Sequence, residues 1–131
     1  MSVYVIDRHS AIAHPRMALR PGVFVTPFHR AELANAIYQQ VFRGQISSIQ
    51  AQLAHSNFER DCEAGGWVLA PLPPSTFATS IRVARQYGPT LGVRTLDTLH
   101  VAAALELKAT RFWTFDARQS KLAEAEGLAT A

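Results

Sequence analysis

Residues 94–118, RTLDTLHVAAALELKATRFWTFDAR, read as one buried helix, a tight connection and a short strand, with an aspartate near each end. Between Leu96 and Leu107 apolar residues fall on nearly every face, and a helix that is apolar all round belongs inside a domain. Thr95 is placed to cap it, which puts Asp97 in the first turn, where the helix dipole favours a negative charge. The aromatic run FWTF, residues 112–115, follows as a strand with Asp116 at its carboxyl end. Strand and helix side by side imply an α/β layer architecture, in which ligands bind outside the carboxyl ends of the strands. A helix that follows a parallel strand starts at that same edge, so Asp97 and Asp116 are expected to converge. Each also has a purely structural reading: Asp116 with Gln119 three residues on fits a capping box, and Asp97 complements a helix dipole.

Partners for these acids lie upstream. Residues 3–6, VYVI, suit a buried parallel strand ending at Asp7. Pro15 prevents a regular helix through residues 8–20, leaving room for one or two turns. Residues 23–25 form a second strand, and Thr26-Pro27 starts a helix running to about Phe42, stopped by Gly44. Leu33, Ile37 and Val41, supported by Ala34, Tyr38 and Phe42, are its expected buried stripe. Glu32 lies in its second turn, with Asn35 on the same face. A helix over 47–64 is expected to turn Ile49, Leu53 and Phe58 inward; residues 67–69 read as a strand. Ser75 opens a helix carrying Phe77, Ile81 and Ala84 inward to about Tyr87, and residues 88–92 read as a loop. Residues 128–130 can add an edge strand. This order implies parallel strands joined by right-handed crossovers, with Asp7, Glu32, Asp97 and Asp116 along one sheet edge.

At 131 residues and 48% hydrophobic composition, the chain is expected to form one domain with a full core. The single Cys62 rules out an internal disulfide and a cysteine-rich zinc site, which fits a reducing compartment. No signal peptide or membrane span is visible, so a cytoplasmic protein is expected. The net charge is +3, and eleven of the thirteen basic residues are arginine, whose planar fork matches phosphate oxygens. A solvated surface accounts for the same bias equally well.

Carboxylates brought together repel one another unless a cation neutralises them, and an all-oxygen site points to Mg²⁺ or Mn²⁺. Such a site suits phosphodiester hydrolysis by a metal-activated water, with basic side chains holding the backbone of a nucleic acid. Arg94, Arg118 and Asn35, close to these acids in sequence, are the candidate substrate contacts. The chain has no glycine-rich phosphate loop with lysine, no dinucleotide fingerprint and no serine nucleophile elbow. A plain RNA-binding module would need exposed aromatics among basic residues, and the aromatics read mostly as core.

Over essentially its whole length the chain resembles PIN-domain ribonucleases, especially the VapC-type toxins of bacterial toxin–antitoxin pairs. The carrying motifs are YVID at residues 4–7, TPFHRAELANAI around Glu32, RTLDTLHVAAALEL around Asp97 and TFDARQ at Asp116. The resemblance implies a three-layer sandwich with a central parallel sheet of four to five strands and RNA cleavage with Mg²⁺ or Mn²⁺. It also implies metal-ligand and catalytic roles for Asp7, Glu32, Asp97 and Asp116, a cognate antitoxin and a homodimer. One feature departs from the family pattern: Arg8 and His9 separate Asp7 from Ser10, where a Thr or Ser usually follows directly. The first crossover helix is therefore expected to be shortened and metal binding weakened. The alternative is a catalytically weakened PIN fold that acts mainly as an antitoxin-binding or dimerisation module.

Overall fold

The computed structural model describes residues 23–130. Along them run β1 (Phe24–Val25), α1 (Pro27–Phe42), α2 (Ser48–Glu63), β2 (Val68–Leu69), α3 (Thr76–Leu91), α4 (Thr95–Glu106), β3 (Arg111–Phe112), α5 (Ala117–Ala125) and β4 (Ala129–Thr130). The chain divides into two compact units, Met1–Pro71 and Leu72–Ala131. The fold is mixed α/β, and each unit holds one parallel strand pair, β1 with β2 and β3 with β4. One central sheet of four to five strands is not assembled among the described residues. The expected first strand at residues 3–6 and the shortened crossover helix lie outside them.

In the first unit the ends of α1 follow directly from sequence. The Thr26 backbone N–H donates to His29 Nδ1 at 3.0 Å, so a histidine takes the reciprocal role that a glutamate has in a capping box. Ser47 and Gln50 form the complete box for α2, with bonds of 2.8 and 3.1 Å. Ile37, Ala51 and Ala54 pack with Leu33, Val41 and Ile46, while Val25, Phe58 and Cys62 pack with Leu33 and Trp67. Leu33 therefore joins both clusters.

The inward face of α2 corrects the expectation. Ile49 and Leu53 point to solvent, 78% and 59% exposed, and Phe42 at the end of α1 is 92% exposed. At about 100° per residue, Leu53 sits about 140° and Ile49 about 180° around the helix from Phe58, so the three cannot share a face. Ala51, Ala54 and Cys62 are in register with Phe58, and two alanines there allow α1 and α2 to approach closely.

In the second unit α4 is buried continuously from Asp97 to Ala103, as its all-round apolar pattern requires. Val83, Val101, Phe112, Leu122, Ala123 and Leu128 form the core, flanked by Tyr87, Leu91, Val93, Ala104 and Leu105. Helix α3 turns Thr76, Ser80 and Val83 inward and leaves Phe77 and Ile81 exposed, the reverse of the expected face. The reason is a buried polar pair: Ser80 Oγ and Thr98 Oγ1 share a hydrogen bond of 2.8 Å, satisfying both hydroxyls between α3 and α4. Helix α3 also continues through Gly88 and Pro89 to Leu91, where a loop was expected. Tyr87 and Leu91 pack on the core and hold this last turn, which Gly92 then ends at φ 59°.

Two further boundaries differ. The N-cap of α4 is Arg94, with Thr95 its first helical residue. The strand expected over residues 112–115 is the shorter β3, because Thr114 bends the chain toward the next helix cap. Helix α4 closes with Lys108 N–H on Leu105 O (3.0 Å) and Ala109 N–H on Ala104 O (2.9 Å). Lys108 sits at φ 55°, the one left-handed residue among the described ones that is not glycine. None of the described helices is long and apolar enough to cross a membrane.

Candidate metal and nucleic-acid site

Asp97 occupies the third position of α4 and is 5% exposed. Its Oδ2 accepts the Arg94 backbone N–H at 2.9 Å. The arginine guanidinium has no acceptor to return, so only the aspartate half of a capping box forms. Asp97 Oδ1 accepts a second bond, 3.0 Å, from the side-chain amide Nε2 of Gln119 on α5.

Asp116 is the N-cap of α5, and its Oδ1 accepts the N–H groups of Arg118 (2.8 Å) and Gln119 (3.3 Å). The expected capping box does not close. Gln119 is diverted to Asp97, and the Asp116 N–H donates to Thr114 Oγ1 at 3.0 Å. Thr114 in turn donates to Gln119 Oε1 at 2.9 Å. One residue, Gln119, thus touches Asp116 through its backbone and Asp97 through its side chain, bringing the two aspartates to a single corner of the second unit.

The two carboxylates differ in surroundings: Asp97 is buried and Asp116 exposed. Neither has an ion-pair partner among the described residues. A nearly buried carboxylate held only by neutral donors is poorly solvated, and a nearby cation offsets the cost of placing it there. Two carboxylates, one of them open to water, match the donor set of Mg²⁺ or Mn²⁺, which retain several waters. The residues present fit such an ion.

Of the other expected rim residues, Glu32 and Asn35 belong to the first unit. Glu32 is half-buried and Asn35 exposed on α1. Asp7 lies outside the described residues. No cluster of three or more histidine, cysteine or acidic side chains is assembled among the described residues. Arg94 and Arg118 are exposed and form no ion pair there, so both guanidiniums are available to an anion.

Two neighbours escaped the sequence reading. Gln119 was legible only as a capping-box partner, and nothing in its spacing from Asp116 points to Asp97. Phe115, read as the end of an aromatic-rich strand, lies beyond β3 and is 40% exposed immediately before Asp116.

Compared with known proteins, the chain matches the PIN domain over residues 3–125, a span that runs through both units. No curated protein matches it.

Proposed function

The chain belongs to the PIN-domain family, and from that premise we propose that it is a Mg²⁺- or Mn²⁺-dependent endoribonuclease, the toxin of a toxin–antitoxin pair. Members of this family are generally metal-dependent nucleases. The observation that carries the reading is the bridge from Gln119 to both Asp97 and Asp116, two carboxylates held together with no cationic partner. The family's single-domain organisation, with its four- to five-stranded parallel sheet, and its further acids, matched in sequence by Asp7 and Glu32, belong to the same proposal. The protein acts in the cytoplasm.

A bound Mg²⁺ or Mn²⁺ would supply an activated water for attack on a phosphodiester. Asp97 and Asp116 would hold the ion. Arg94 and Arg118 would hold phosphate oxygens of the RNA, with Asn35 a further polar contact. Purified protein should cleave single-stranded RNA with Mn²⁺ and lose that activity with EDTA; equal cleavage in EDTA overturns the metal reading.

The second reading, a weakened fold that mainly binds its antitoxin or itself, is supported by a different observation. Phe42, Ile49 and Leu53 stand exposed at the α1–α2 hairpin, and residues 33–58 carry one formal charge, Arg43. A two-fold interface places the same patch against itself, so an apolar surface with few charges favours a homodimer. Light scattering on the parent and on Ile49→Lys separates dimer from monomer.

A further inference from the structure

We propose that Gln119 is the positioning residue of the acidic pair, fixing the Asp97 carboxylate for a divalent cation without neutralising it. The inference rests on the metal-site reading above. Its basis is the way the amide is used at both ends. Asp97 Oδ1, as a carboxylate oxygen, can only accept, so the amide must present Nε2 to it, at 3.0 Å. Oε1 then faces the Thr114 hydroxyl, which donates at 2.9 Å. The Thr114 oxygen keeps a lone pair for the Asp116 N–H, at 3.0 Å, and the Gln119 N–H completes the ring on Asp116 Oδ1, at 3.3 Å. Every donor in this circuit meets an acceptor, and reversing the amide would set donor against donor at Thr114 only if its hydroxyl kept its direction, but would set acceptor against acceptor at Asp97 in all cases. The network therefore selects one amide orientation.

The neutral donor is the decisive feature. A lysine or arginine at position 119 would orient Asp97 equally well, but it would cancel the charge that attracts the ion. An apolar side chain would leave the charge and release the orientation. Glutamine does neither. Asp97 Oδ1 and Oδ2 each accept one bond from a neutral donor, which leaves lone pairs on both for a metal. Partners behind metal ligands typically change affinity by about 10–100-fold when removed.

The test is isothermal titration of Mn²⁺ into the metal-free full chain, alongside thermal unfolding in EDTA. In Gln119→Leu we expect binding about tenfold weaker in a protein that still folds, its melting temperature lowered by about 10 °C or less through loss of the bond to Asp97. Gln119→Lys should abolish measurable binding while remaining folded, because its ammonium takes the place of the ion. Thr114→Val, which frees the amide oxygen, should weaken binding in the same direction and keeps the proposal testable if Gln119→Leu fails to fold. Binding by Gln119→Leu or Thr114→Val within twofold of the parent overturns the proposal and leaves Gln119 a structural cap. A parent that binds no Mn²⁺ overturns the metal-site reading itself, and this proposal with it.

Discussion

Replacing Asp97 by Ala and by Asn separates its structural work from its charge. In Asp97→Ala the bond to the Arg94 N–H is lost, about 1 kcal/mol for a helix cap. The Gln119 amide also loses its acceptor in a half-buried place, about 1–3 kcal/mol. The sum is about 2–4 kcal/mol, and at about 3–5 °C per kcal/mol for a chain of this size the melting temperature should fall by about 10 °C. Asp97→Asn differs in kind. The asparagine oxygen keeps the Arg94 bond, and its NH₂ can meet Gln119 once that amide turns over, because the Thr114 hydroxyl can reverse its role. Removal of an unpaired buried charge offsets what the helix dipole loses, about 0.3–1 kcal/mol. The net change should stay within about 1 kcal/mol, so Asp97→Asn should melt within a few degrees of the parent. Circular dichroism in EDTA measures both variants without interference from bound metal. If Asp97→Asn were as destabilised as Asp97→Ala, the charge itself would be structural, and the reasoning that reserves it for a cation would fail.

Two other outcomes follow from the same geometry. Lys108 holds the left-handed position after α4 that Gly44, Gly65 and Gly127 hold elsewhere, so Lys108→Gly should stabilise the protein by about 1 kcal/mol in urea unfolding; a loss of stability would contradict the backbone argument. The Glu106 carboxylate is held below its ordinary range by hydroxyl bonds from Thr79 and Ser75, so it stabilises the fold above about pH 4.5, and that contribution disappears as pH falls through the lowered value. The stability gap between the parent and Glu106→Gln should therefore narrow toward pH 3, and a gap that does not change with pH would contradict this.

Helix boundaries were legible because local chemistry sets them. Thr26-Pro27, Ser47 with Gln50, and Gly44 act within a few residues of the chain, and α1 and α2 begin and end where these signals place them. Helix faces were less legible. Phe77 and Ile81 look inward by hydrophobicity, but the buried Ser80–Thr98 pair depends on a residue eighteen positions away. Pro89 reads as a break, yet Tyr87 and Leu91 hold its turn through tertiary packing. The site was legible in the same proportion. Asp97 and Asp116 are recognisable by their places at helix starts, and their convergence is carried by Gln119, whose reach across to α4 has no signature in local sequence. Glu32 and Asn35 sit on α1 as read, while Asp7 falls outside the described residues.

The most direct test of the central claim is Mn²⁺-dependent RNA cleavage by the parent, Asp97→Asn and Asp116→Asn, each checked for its fold. Asparagine can still cap at both positions, so the folds should survive. The account predicts that the parent cleaves and that each variant loses most of that activity; full cleavage by both folded variants would contradict it.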